Sequence, residues 1–330
     1  MTTHYPPSTG FGGVTEAGYQ LSRALANLPV EVSVLTSDAS LDGRVPLQDF
    51  RTVEGPHLSV FAYPYTCSAK SALSLTGGAL IRKVVAQSDV VHLNGIYTYP
   101  VTVAAWSAQR YNKPYLAALR NGLDPFMFRI RRLKKMAGFM TYVRPILKRA
   151  QFIHATAEQE VEHARAFGLH EKVVVIPNGV NSIDPHHLPD SPDANLLWPV
   201  LRDRRVVLFL SRLSPQKGLD LLIPAWAGVS RDHPNAILVI AGPDYMGYAG
   251  AVRQLVRDLH VSDSVLFTGP VRDERKWSLY RRAALFILPS YAENFGNVIA
   301  DALAFGVPVI TTTTTPWSRV GRDCGLCVAP

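Results

Sequence analysis

Two carboxylates, Glu293 and Asp301, stand eight positions apart across what reads as the start of a helix. An apolar run ahead of them, Ala284 to Ser290, reads as a buried strand. Gly296 to Phe305 reads as the helix, Gly306 as its stop, and Val307 to Thr311 as the next strand. The first turn of a helix leaves N–H groups unbonded and carries a partial positive charge, which suits phosphate. Gly296 lets a ligand approach the backbone there. A carboxylate accepts hydrogen bonds from sugar hydroxyls. Both acids can serve one ligand only if it lies along the helix start. The simplest such ligand, with hydroxyls at two places and phosphates between them, is a nucleotide-sugar. Phe295, Gly296, Asn297 and Val298 would line that donor between the two acids. The plainer alternative is a capped helix with a chance pair of acids.

A second constellation lies upstream. Arg212 and Lys217 flank a turn that follows the strand Arg205 to Ser211 and precedes a helix reaching about Ser230. Two cations beside free N–H groups suit a diphosphate. The strand Ala236 to Pro243 ends in a turn at Gly242, and Val271 follows the strand Ser264 to Thr268. Near the start, His4 to Gly13 is a turn-rich loop. It runs into an amphipathic helix carrying Val14, Ala17, Leu21, Ala24 and Leu25, so Gly12 and Gly13 can bring N–H groups to a phosphate. The strand Asp89 to Gly95 carries His92 and Asn94 near its end, and the strand Pro114 to Leu119 stops at Arg120. Ligands bind beyond the carboxyl ends of parallel strands, which is where these three side chains fall. The plainer alternatives are an ordinary loop at Gly12 and Gly13 and a strand-capping histidine at His92.

The elements that must hold these groups alternate regularly. Strands are read at Val30 to Leu35, Leu58 to Ala62, Gln151 to Ala155 and Val173 to Ile176, with helices at Ser71 to Gln87, Thr98 to Tyr111, Ala249 to His260 and Asp273 to Ala283. Such alternation implies an α/β protein with parallel sheets. It divides into a first Rossmann-like domain over 1–180, a linker over 181–203 rich in Pro, Asp, Asn and His, and a second Rossmann-like domain over 204–330.

The run from Glu293 to Asp301 resembles the acid-x7-acid motif of retaining glycosyltransferases of family 4, which have the GT-B fold of two such domains facing each other across a cleft. The likeness covers nearly the whole chain and assigns Glu293 to the donor sugar and Asp301, where the family usually has Glu, to the ribose. Arg212 and Lys217 resemble the pair that holds the leaving diphosphate. The stretch from Val265 to Val271 resembles the segment whose backbone reads the nucleobase. Gly12 and Gly13 resemble the loop that faces the diphosphate. Asp89 to Gly95 resembles a segment with two alternating histidines, of which this chain keeps His92 and has Asn94 at the second place. Arg120 to Phe126 resembles a stretch of polysaccharide-building members. The resemblance implies a retaining glycosyltransferase acting on a glycan or lipid-linked acceptor in bacterial surface polysaccharide or lipopolysaccharide synthesis. The departing phosphate oxygen itself can take the acceptor proton. By the same likeness a strand ahead of the glycine loop and the last helices are expected to be missing, a truncation at both ends. A GT-B sugar-nucleotide epimerase and a non-catalytic relative remain open alternatives.

Composition sets outer bounds. The 330 residues suffice for two domains, and 47% apolar residues for two cores. No apolar run reaches the ~18–20 residues that span a bilayer. Met1 to Pro7 lacks the apolar core of a signal peptide, and three cysteines are too few for a disulfide framework, so a cytoplasmic protein is expected. Cys324 and Cys327 alone are a weak metal or redox signal. No Asp-x-Asp pair calls for a metal, and no cofactor is expected beyond the donor itself. The formal charge of +8 points to an anionic partner. Part of it gathers in 126–149, an acid-free amphipathic segment that reads as broken near Gly138 and Pro145. Such a segment can lie on the anionic inner face of a cytoplasmic membrane. No nucleic-acid motif accompanies it, so nucleic acid is not expected as a partner.

Overall fold

The computed structural model describes residues 1–8, 12–40, 43–45, 51–66, 72–74, 76–129, 132–169, 171–179, 191–271 and 273–330. The chain divides into two compact units, Met1–Gly179 and Val180–Pro330.

The second unit is built on one six-stranded sheet. Its spatial order is Val265–Gly269, Ala236–Ala241, Arg205–Leu210, Ala283–Leu288, Val309–Thr312, Gly325–Val328, and every pairing is parallel. Strands covered on both faces read as continuous apolar runs, and Ala236–Ala241 is buried at every position. Numbered along the chain, the order is 3-2-1-4-5-6. It reverses between Arg205–Leu210 and Ala283–Leu288, which opens a crevice at the carboxyl ends of those two strands.

The first unit repeats this plan with a gap in the middle. Val32–Ser37 pairs in parallel with Leu58–Tyr63, and Arg51–Gly55 adds an antiparallel edge that the sequence reading lacked. Val91–Asn94, Tyr115–Ala118, Phe152–Ala155 and Val173–Val175 form a second, four-stranded parallel sheet. The expected loss of a central strand is corrected by Met1–Thr3, which fills that place. Thr2 N donates to Leu35 O, Ser37 N to Thr3 O and Asn94 N to Met1 O, so three residues bond to both sheets. The reversal of strand order again falls beside them, at Val91–Asn94.

Two further expectations change. The helix read from Ser71 starts at Gly77, Ser71 itself lying outside the described residues. Ser74 Oγ accepts Gly77 N–H there, and a Cβ at Gly77 would stand 2.5 Å from the Tyr63 ring. The break read near Gly138 is a widened turn, Phe139–Val143, in a run that continues as the helix Arg144–Arg149 with Pro145 in its first turn. A proline inside a helical run has no N–H to give the turn before it, and a widened turn ahead of it is one way such a run accommodates that loss.

Residues 191–203, read as linker, fold onto the second unit. They carry the helix Ala194–Leu197, capped by Asp193, and a short turn, Pro199–Leu201. Leu201 is fully buried in the second core. Ser278 Oγ donates to Pro192 O, and Arg282 donates to the carbonyls of Leu201 and Arg204. The segment is anchored through its own acceptors, Pro192 O, Asn195 Oδ1 and Leu201 O, which take hydrogen bonds from Ser278 and Arg282. Leu201→Ala should therefore lower the unfolding free energy by about 2–5 kcal/mol. Leu196→Ala, at a side chain left largely in solvent, should stay within about 0.5 kcal/mol, both read by chemical denaturation.

Candidate active site

In the second unit, the two loops at the sheet's reversal are locked together. Lys217 Nζ lies 2.5 Å from Glu293 Oε2, with the lysine 8% and the acid 12% exposed in their side chains. Ser290 Oγ adds a longer contact to the same oxygen at 3.5 Å. Both of the carboxylate's hydrogen bonds fall on Oε2 among the described residues. Around the pair, Tyr291 N donates to Gln216 O and Gln216 Nε2 to Ala292 O. Gly218 holds φ +70°, and a Cβ there would stand 1.9 Å from Pro289 O. Glycine is what permits this approach of one loop to the other.

Arg212 leaves the end of Arg205–Leu210 with its guanidinium over the Tyr245 ring, 5.0 Å from the centroid. Gly242 sits behind it at φ +143°, where a Cβ would meet Ser211 O at 1.9 Å. Its N–H donates to Gly269 O. The helix Asn297–Ala304 has Gly296, φ +79°, at its N-cap, a residue with no side chain to place there. Trp317 Nε1 donates to Phe295 O, and the two rings meet edge to face at 5.4 Å. Val298 O accepts from Tyr280 Oη at 3.0 Å. Val271 packs against the core. Asp301, 9% exposed, is ion-paired with Lys276 at 2.5 Å.

The first unit gathers a different set. Arg120 Nε donates to Asn94 Oδ1 and Nη1 to Asn178 Oδ1, each at 2.6 Å. Asn94 Nδ2 donates onward to Val14 O in the first turn of Gly13–Ala26, which Gly12 precedes at φ +78°. Thr9, Gly10 and Phe11 of the expected glycine loop lie outside the described residues. Burial lowers the Arg120 guanidinium to about 10, since its hydrogen-bond partners are neutral amides. Arg120 and Asn121 both take left-handed backbone, φ +48° and +62°. Such conformations cost of order 1–3 kcal/mol each in a side-chain-bearing residue and persist only where the surroundings fix them. Here the Arg120 bonds do so from one side, and Glu160 Oε1, accepting Asn121 N–H at 2.6 Å, from the other.

His92 faces His154. His154 Nε2 donates to Ile176 O at 2.7 Å, so its Nδ1 carries the lone pair and accepts from His92 Nε2 at 3.4 Å. Burial depresses His92 to about 3, helped by the Met1 amino group and Arg120. His92 is thus neutral throughout the physiological range.

A family model described as a glycosyl transferase 4-like domain matches residues 12–179, which is more than half of the chain. The chain belongs to the glycosyl transferase 4-like family. A second model, described as glycosyl transferases group 1, matches residues 199–323 of this glycosyltransferase. The enzyme is 27% identical over 336 residues to D-inositol 3-phosphate glycosyltransferase 2 of Catenulispora acidiphila, covering 93% of this chain and 75% of that protein. HepE of Anabaena, solved in complex with UDP and glucose, shares the fold with a TM-score of 0.74 at 20% identity, over 100% of this chain and 86% of that one. Sucrose-phosphate synthase from Thermosynechococcus elongatus does so with a TM-score of 0.74 at 21% identity, over 97% and 81%. The glycosyltransferase has the GT-B fold of these structures, with two Rossmann-like units.

Within this glycosyltransferase the structure brings Lys217 to Glu293 in one unit, and Arg120, Asn94 and the Gly12 turn together in the other. Lys276, His154, Asn178, Glu160 and Trp317 join these clusters without having been singled out as site residues. Each makes its contact across a sequence separation of 22 to 62 residues, which no local spacing reveals.

Two outcomes follow. Glu293→Gln should destabilise the second unit by about 3–5 kcal/mol, because it leaves the Lys217 ammonium buried without its counter-charge. Lys217→Met with Glu293→Gln should restore most of that loss in a denaturant titration. The second outcome concerns pH. Unfolded histidine titrates near 6.5, whereas His92 is held to about 3 and His4 to about 4 by burial. The unfolded chain therefore binds protons first, and stability falls as pH drops from about 6.5 towards about 4, by roughly 1.4 kcal/mol per unit for each group. Melting curves over that range should show this slope, and His92→Gln should make it shallower.

Proposed function

We propose that this glycosyltransferase takes its sugar from a nucleotide-sugar and transfers it with retention of anomeric configuration. The observation that carries the reading is the Lys217–Glu293 pair at the sheet reversal, beside a helix start whose N-cap is Gly296. An ammonium has N–H groups beyond the one given to Glu293, and these suit the donor diphosphate. Arg212 supplies a second cation, and the helix start its N–H groups. Glu293 presents its other carboxylate oxygen to a sugar hydroxyl, and Asp301 stands at the ribose end. Cations that meet charge growing on the leaving diphosphate favour the transition state over the ground state. On this reading the diphosphate is neutralised by protein groups, without a metal ion. HepE was solved in complex with UDP and glucose, which supports a donor of this class.

For the acceptor, the first reading is a growing glycan or lipid-linked sugar of a bacterial surface polysaccharide or lipopolysaccharide. The basic stretch supports it: Arg132–Gly138 and Arg144–Arg149 carry Lys134, Lys135, Lys148 and Arg149, with Leu133 and Met140 exposed among them. Such a surface suits peripheral contact with an anionic membrane on its cytoplasmic face. No helix among the described residues is long and apolar enough to cross a membrane. A second reading is a small phosphorylated acceptor, as in the name of the Catenulispora relative. The buried Arg120, bonded among the described residues to the neutral amides of Asn94 and Asn178, favours it.

A thermal-shift panel of UDP-, GDP- and ADP-sugars tests the donor reading. One nucleotide class should raise the midpoint, since a ligand that binds only the folded form stabilises it. Lys217→Ala should abolish that shift. A folded protein that responds to none of the three overturns the reading, and a product of inverted anomeric configuration by NMR overturns retention.

A further inference from the structure

The ribose end of the proposed donor site holds a cation as well as an acid. Asp301 lies on Asn297–Ala304, and its carboxylate bonds Lys276 Nζ through Oδ2. Lys276 belongs to the first turn of Asp273–Arg282, the helix entered directly from the Gly269 to Val271 loop. Within the pair the lysine has the more exposed side chain, 23% against 13% for the acid. Its ammonium lies 4.3 Å from the centre of the Trp277 ring and 5.9 Å from that of Tyr280. Those rings are themselves fixed. Trp277 and Tyr280 each stack on Phe305, and Tyr280 Oη is bonded to Val298 O. A cation on an aromatic face, bonded to a carboxylate, is held in one place.

Chemistry then favours the lysine as the contact. Aspartate is one methylene shorter than glutamate, so the carboxylate at 301 stands back by about one C–C bond length, about 1.5 Å. The ammonium is bonded to that carboxylate, its side chain is the more exposed of the two, and it has three N–H groups, of which Asp301 Oδ2 takes one. A further N–H is a donor that a hydroxyl oxygen can accept.

We propose that Lys276 is the group that meets the ribose of the donor nucleotide, donating to a ribose hydroxyl, while Asp301 acts through it as a positioning residue. This rests on Asp301 marking the ribose end of the donor site. It makes discrimination between ribo- and deoxyribonucleotides a property of the helix Asp273–Arg282 as much as of Asn297–Ala304.

The test is calorimetric binding of UDP and GDP with their 2′-deoxy and 3′-deoxy counterparts. The proteins compared are wild type, Lys276→Met, Lys276→Arg and Asp301→Asn, each checked for an intact melting transition. Wild type should prefer the ribonucleotide over one deoxy form by about tenfold, the scale of a hydrogen bond to a charged group. Lys276→Met should weaken ribonucleotide binding by that factor and leave the deoxy affinity unchanged, so that the preference collapses towards unity. Lys276→Arg should keep most of the preference. In turnover, Lys276→Met should act on the donor KM more than on kcat. A Lys276→Met protein that keeps the wild-type preference, or weakens both ligands equally, makes the pair a structural link between helices and overturns the proposal. If at the same time Asp301→Asn loses the preference, the ribose assignment of Asp301 survives and only the lysine's role fails. Wild type that binds without distinguishing the sugars overturns the ribose assignment together with the proposal. Wild type that binds neither nucleotide series removes the donor site itself.

Discussion

One buried ion pair fixes the geometry of the second unit's site. Lys217 and Glu293 come from loops that follow different strands and meet where the strand order reverses. Removing two charges from water costs several kcal/mol per ion, repaid only by close geometry. The backbone supplies that geometry: Gly218 lies against Pro289 O, and Gln216 bonds to both Tyr291 and Ala292. The same clamp sets where the helix beginning at Asn297 points its first turn, because Glu293 and Gly296 share one short loop. A diphosphate held by Lys217 would therefore meet that helix start without rearrangement of the backbone.

The first unit solves the same topological problem with mostly neutral groups. Met1–Thr3 joins its two sheets, and Asn94, beside it, links Arg120 to the first turn of Gly13–Ala26. His92 and His154 are kept neutral by burial. Two successive left-handed residues, Arg120 and Asn121, aim their side chains in ways an extended strand end would not allow. The two clusters thus differ in character: one is an exchangeable pair of charges, the other a hydrogen-bonded lattice around a single cation.

Much of this was legible in the residues. Apolar runs such as Ala236–Ala241 and Ala283–Leu288 announce buried strands, and glycine placed after a strand announces a turn near a ligand. Spacing therefore singled out Glu293, Lys217 and Gly296, and the structure pairs the first two. What stayed hidden depends on tertiary contact. Lys276 sits on a polar helix whose pattern gives no hint that one lysine turns toward Asp301. His154 ends a strand like many others, and only the parallel neighbour reveals His92 beside it. The 191–203 segment looks like a linker because its composition is polar, and only the fold shows Pro192 O and Asn195 Oδ1 accepting from Ser278 and Arg282 of a distant helix. Arg51–Gly55 and Gly325–Val328 are short edge strands, partly exposed, with too little apolar patterning to stand out.

Two of the five tryptophans occupy informative places. Trp317 rests its ring on Phe295 and its N–H on the backbone just ahead of Gly296, while Trp277 carries the Lys276 ammonium on its face. Indole emission responds to nearby charge and to solvent. The protein therefore contains its own optical probes at the two ends of the helix Asn297–Ala304, one beside Gly296 and one beside the Lys276–Asp301 pair, with Trp106, Trp198 and Trp226 as a background that single replacements can subtract.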